Sequence, residues 1–100
     1  MSDRAFRVVL RMQTRPGAGR AFEATWGEVA RTIATDPANL GQWMLRDVTD
    51  PDVYYVISDW VDERSFREFE HSAAHLENRR RLGEHRIAGW MGTMTPVTTG

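Results

Sequence analysis

The chain contains no cysteine and no lysine; all thirteen of its basic residues are arginine. The missing thiol excludes disulfides, cysteine nucleophiles, thiolate zinc sites and cysteine-held iron–sulfur clusters. The missing amine excludes Schiff-base catalysis, a pyridoxal-phosphate anchor and a phosphate-loop lysine. Long apolar runs are absent too. Nothing approaches the roughly 18 residues of a membrane span, and Met1 to Phe6 is short and charged rather than signal-like. These features predict a cytoplasmic protein with no membrane partner. A net charge of −1 lacks the basic excess of a nucleic-acid binder, so no nucleic-acid partner is expected. The 100 residues suit one domain over 1–100, with 1–5 and 98–100 expected to be loose.

Periodicity gives the element order. Phe6, Val8, Leu10 and Met12 alternate with Arg7, Val9, Arg11 and Gln13, which predicts a strand over Phe6–Gln13. Arg15-Pro16-Gly17-Ala18-Gly19 breaks it and opens a helix from about Ala18 to Ala34, with Phe22, Trp26, Val29, Ala30 and Ile33 on one stripe. Asp36-Pro37 ends that helix. Leu40–Val48 reads as a second strand, turned by Thr49-Asp50-Pro51-Asp52 into a third over Val53–Trp60, rich in β-branched and aromatic residues. Asp62 can cap a short helix bearing Phe66 and Phe69, and Ser72 a second one running to about Leu82. Ile87–Val97, with Trp90, Met91 and Met94, is the last strand. The resulting β-α-β-β-α-β order, with a broken second helix, is the α+β, ferredoxin-like split βαβ arrangement. Helices on one face of such a sheet leave the other face bare, and Trp, Met and Tyr side chains there predict a homodimer.

The candidate residues carry alternative readings. Trp26 and Phe22 sit on the helical stripe and are either core or pocket wall; Trp43 and Trp90 suit an interface or an aromatic wall for a flat ligand. His71, His75 and His85 lack the spacing of a metal set, so no metal is expected. His75, titrating near neutrality, is a candidate general acid or base, or else a partly exposed helix histidine. Arg79-Arg80-Arg81 is a solvated helix face with room for one inward member, since successive helix residues point about 100° apart. Arg7, Arg11, Gln13, Gln42 and Arg46 lie on strands that either converge two arginines and two amides on one face or present a water-facing or dimer-bridging surface.

Several short pieces together resemble the antibiotic biosynthesis monooxygenase family. Arg15-Pro16-Gly17 followed by Phe22 and Trp26 is similar to that family's passage from first strand to first helix. Ser58-Asp59-Trp60-Val61-Asp62-Glu63, then Phe66, then Ser72-Ala73-Ala74-His75, looks like its second motif. The likeness runs from about Phe6 to Val97, and its flavour is that of small proteins of actinomycete aromatic polyketide pathways. It implies a dimeric αβ-barrel. For the best-known branch it also implies oxidation of a tricyclic anthrone-type phenol to a quinone, without metal, flavin or haem. In such chemistry the substrate supplies the electrons, and the protein supplies a dry pocket and donors that stabilise the anion. Arginine, indole N–H and histidine suit that task.

The resemblance also implies site residues. Trp60 matches a strand-end tryptophan facing the pocket, and Arg80 falls at the branch's pocket arginine when counted from Trp60 without gaps. Phe66 stands at a tyrosine of that branch and Val56 at an asparagine. A haem-degrading branch uses a histidine near the position of Arg79, so no haem is expected here. Catalytic roles are thus expected of Trp60, Arg80 and His75, and substrate contacts of Trp26, Phe22, Phe66, Arg11, Gln13, Gln42, Arg46 and Trp43. The leading expectation is a cofactor-independent monooxygenase with an aromatic polyketide substrate. A polyketide cyclase or aromatase directing aldol closure is the runner-up, and a non-catalytic accessory or ligand-binding protein of the synthase complex is the third.

Overall fold

The computed structural model describes residues 5–97. Seven elements follow in the order β1 (Phe6–Thr14), α1 (Gly19–Ala34), β2 (Asn39–Arg46), β3 (Val53–Trp60), α2 (Glu63–Glu70), α3 (Ala73–Gly83) and β4 (Arg86–Met94). The strands form one antiparallel sheet in the order β2-β3-β1-β4. This is the expected α+β, ferredoxin-like architecture with its second helix in two pieces. The expectation about loose ends falls, Ala5 apart, outside the described residues. No described helix is long and apolar enough to cross a membrane.

Strand alternation decides what each face carries. Opposite Phe6, Val8, Leu10 and Met12 on β1 stand Trp60, Ser58, Val56 and Tyr54 on β3, all on the helix-covered side. Phe22, Trp26, Val29 and Ile33 of α1, Phe66 of α2 and Leu82 of α3 close over them to form the core. Each such aliphatic or aromatic side chain contributes about 1.5–3 kcal/mol through its removal from water. The opposite face takes Arg7, Val9, Arg11 and Gln13, with Trp43 and Leu45 of β2 and Trp90 and Met94 of β4 in register beside them. Trp43 and Trp90 remain 50% and 57% exposed there, so the aromatic bare face expected from the sequence is present.

Local chemistry sets the boundaries. Gly17, at φ 80°, supplies the left-handed residue that turns β1 into α1. β2 stops at Arg46 rather than Val48 because the Asp47 carboxylate accepts hydrogen bonds from the backbone N–H groups of Thr49 (2.8 Å) and Asp50 (3.0 Å). β4 stops at Met94, two residues short of Pro96. Asp62 caps α2 by accepting from Ser65 N–H at 2.8 Å, and Ser72 caps α3 by accepting from His75 N–H at 3.2 Å, as their sequence positions suggest. α3 is tied to α1 by Asn78, whose side-chain N–H donates to Thr32 Oγ1 at 3.0 Å, and by an Arg81–Glu28 ion pair.

Urea denaturation checks this division of labour. Asp62→Ala and Ser72→Ala should each cost about 1 kcal/mol, whereas Phe22→Ala, which empties a fully buried position, should cost about 3–5 kcal/mol.

Candidate functional site

Between the sheet and the helices lies a cavity of about 260 Å³. Its floor is Val8, Leu10, Met12 and Val56, and Trp26, Val29 and Ile33 of α1 wall one side. Trp60, Phe66 and Phe69 form an aromatic end, and β4 borders the opening through Arg86, Gly89 and Met91. The polar lining is sparse: Ser58, Glu70, His75, Arg79 and Arg86.

The aromatic end is a stack. Trp60 meets Phe66 edge-on at 5.4 Å and Phe69 at 4.7 Å, and Phe69 meets the His75 ring at 4.4 Å. The Trp60 indole N–H is not free, because it donates to Ser58 Oγ at 3.0 Å. Ser58 lies two residues before Trp60 on the same strand face, so its hydroxyl lines the cavity beside the indole. His75 Nδ1 is buried without a hydrogen-bond partner among the described residues. Burial, reinforced by the Arg79 charge and opposed by Glu70, pushes the imidazole down from 6.5 to about 4. Glu70 is occupied, its carboxylate holding Arg67 at 3.0 Å. Arg79 and Arg86 have no carboxylate partner among the described residues. Gly89 leaves room for Arg86, since a Cβ there would stand 3.0 Å from the guanidinium.

The residues singled out from sequence separate into two groups. Trp60, His75, Trp26 and Phe66 come together around the cavity. The others do not. Arg80 points away and is held by Glu77 (2.6 Å) and Glu84 (2.9 Å), which keep its guanidinium pKa raised. The arginine of the run that borders the cavity is Arg79, which remains exposed and shares a helix face with His75 four residues earlier. Phe22 is core, packed on Tyr54 at 5.1 Å. Arg11, Gln13 and Trp43 lie on the bare face, with Trp43 folded over Gly41. Gln42 and Arg46 lie on the helix side of β2: Gln42 donates to the Ala30 carbonyl at 3.1 Å, and Arg46 sits 3.9 Å from Glu23 beside Tyr54 in a separate shallow hollow. The converging set of two arginines and two amides therefore does not form, because β3 separates β1 from β2 and the pairs occupy opposite faces.

Ser58, Glu70 and Arg86 are cavity residues that sequence reasoning missed, and only Ser58 left a signal, its two-residue spacing from Trp60. Arg79 belongs to the run expected to hold one inward member, a role assigned instead to Arg80. His71 does not join His75, lying exposed beside Glu70. Among the described residues no cluster of three His, Asp or Glu side chains could hold a metal.

The fold and cavity define an α+β, ferredoxin-like protein with an apolar, aromatic-walled chamber edged by cationic groups. The family model for antibiotic biosynthesis monooxygenases matches residues 5–81, and the chain belongs to that family. Among solved structures, SnoaB, a cofactor-independent oxygenase from Streptomyces nogalater, is similar with a TM-score of 0.88 and 23% identity over 95% of each chain. A conserved protein from Methanosarcina mazei Go1 is similar with a TM-score of 0.87 and 18% identity, also over 95% of each chain. At these identities the likeness is one of fold. No curated protein sequence matches the chain.

The depressed His75 value has a measurable consequence. Below its ordinary 6.5 and down to about 4 the unfolded chain binds the proton and the folded chain does not, so this residue makes stability fall as pH drops through that window. An NMR titration of the His75 ring should give a midpoint near 4, and His75→Leu should flatten its share of the acid-side loss. A midpoint near 6.5 would show the ring to be solvated.

Proposed function

We propose that the chain is a cytoplasmic, cofactor-independent monooxygenase that oxidises a polycyclic, anthrone-type phenol of aromatic polyketide origin to a quinone. The observation that carries this reading is the cavity itself: aromatic and aliphatic walls bordered by Arg79 and Arg86, two cations with no carboxylate partner among the described residues. Family membership supports it, as does the likeness to SnoaB, described as a cofactor-independent oxygenase. At about 260 Å³ the chamber falls just under the roughly 300–1,000 Å³ of most ligand pockets, a size suited to a flat ring system that extends towards β4.

The chemistry asks little of the protein in covalent terms. Loss of a phenol proton gives an anion, which passes an electron to O₂; recombination of the two radicals leaves a peroxide on the ring carbon. The O–O bond then breaks with loss of water. The ring methylene becomes a carbonyl that keeps one oxygen atom, and the other leaves as water, so one O₂ is consumed per quinone. The guanidinium groups lower the cost of the anion, the walls exclude water, and the Ser58 hydroxyl, fixed by the Trp60 indole, offers a donor to the peroxide.

Cyclisation is the second reading, favoured by Val56 and Phe66. Both line the cavity yet carry no hydrogen-bonding side-chain atom for a peroxide. Oxygen uptake separates the two. Purified protein with 1,8-dihydroxyanthrone and isotopically labelled O₂ should consume oxygen and yield a labelled quinone, and Trp60→Phe should slow turnover on the order of tenfold by freeing Ser58. No uptake with several such phenols would overturn oxygenation and favour ring closure.

The same reading assigns the bare face to a second copy of the chain, because Trp43, Trp90, Leu45 and Met94 together form an apolar surface that a monomer would leave wet. Sedimentation should show a dimer at micromolar concentration, and Trp43→Glu with Trp90→Glu should yield a folded monomer. A monomeric wild type would refute the assignment.

A further inference from the structure

α3 brings two polar groups into the cavity four residues apart, His75 and Arg79. His75 Nδ1 is sealed from solvent and meets no partner among the described residues, and the residue lines the cavity. A neutral imidazole carries one proton, on one of its two nitrogens. On Nδ1 that proton would be a buried N–H without an acceptor, the costlier kind of orphan; a lone pair is better tolerated there. The proton accordingly sits on Nε2.

We infer that His75 is an uncharged N–H donor which, beside the Arg79 guanidinium, seats one anionic oxygen of the ring substrate: a phenolate, an enolate or a carboxylate. This rests on the cavity being the substrate site, and it adds to that reading the group on α3 that recognises the anion. The electrostatic surroundings keep the ring neutral. Arg79 on the same helix disfavours a second cation, Glu70 of α2 is held by Arg67, and Arg86 of β4 adds positive charge at the opening. The walls contributed by α1 are apolar. Phe69, stacked on the imidazole at 4.4 Å, fixes its plane. A histidinium in this position would repel Arg79, whereas a neutral ring can share an oxygen with it. Neutral imidazole serves as an electrophilic donor to developing oxyanions elsewhere in enzymology.

Calorimetric titration with 2-naphthoate, a flat carboxylate, tests this without turnover. Wild-type affinity should stay constant from about pH 8 to about pH 5.5, because no histidine charge appears in that range at the site; an ordinary histidine would tighten binding as pH falls through about 6.5. His75→Leu should weaken binding about tenfold or more, and Arg79→Gln at least as much, as expected for hydrogen bonds to a charged group. His75→Gln, whose amide N–H can replace Nε2–H, should stay within about threefold of wild type. Thermal melts check that each variant is folded. The inference is overturned if wild type does not bind 2-naphthoate, if His75→Leu binds as well as wild type, if His75→Gln is as weak as His75→Leu, or if affinity steps up near pH 6.5. Intact naphthoate binding with no oxygen uptake would overturn the oxygenase reading and leave the anion seat standing. Uptake with His75-independent binding would do the reverse.

Discussion

The site depends on one run of stacked rings. Phe6 at the start of β1 meets Phe66 at 5.7 Å, Phe66 meets Trp60, Trp60 meets Phe69, and Phe69 meets His75. The run crosses from the two central strands through α2 to α3, so it joins one end of the sheet to the helix that carries His75 and Arg79. Trp60 is its centre and is almost wholly buried. Its single polar atom is satisfied by Ser58, which lets so large a side chain be enclosed without an orphaned donor. Rings fill this end of the core, and the chamber lies beside them between the sheet and the helices.

The two faces of the sheet then take different tasks from the same alternation. On β1 the even residues floor the chamber, while the odd ones build the outer face, where Arg7 grips Asp59 of β3 at 2.7 and 2.9 Å. The polar groups that line the chamber come from four elements, Ser58 from β3, Glu70 from α2, His75 and Arg79 from α3 and Arg86 from β4, around a site otherwise made of apolar side chains. A chain without lysine or cysteine has no amine or thiol nucleophile of its own to place there. Such a chamber suits a substrate that carries the reactivity and asks only for dry walls and anion stabilisation.

The element order, the caps of α2 and α3 and the parity of β1 were legible because alternation and capping are local signals. Relative facing across strands was not. Gln42 and Arg46 share a parity with each other, but whether β2 turns them towards Arg11 depends on pairing with β3, which no local pattern encodes. The phase of α3 was equally hidden. Ala73-Ala74-His75-Leu76-Glu77-Asn78-Arg79-Arg80-Arg81-Leu82 has no apolar stripe: Leu76 ends up exposed and Asn78 buried. Counting along the sequence therefore chose Arg80, while the helix, locked by Leu82 in the core and by Asn78 on Thr32, turns Arg79 to the cavity's border. One residue on a helix is about 100°, enough to exchange a cavity cation for a surface ion pair.

A crystal structure of the chain soaked with a flat, anionic quinone tests the central claim most directly. The ring should lie between Trp26, Trp60 and Met91, with one oxygen within hydrogen-bond reach of both the Arg79 guanidinium and His75 Nε2. A ring bound instead on the outer face, over Trp43 or Trp90, with the chamber unoccupied, would contradict it.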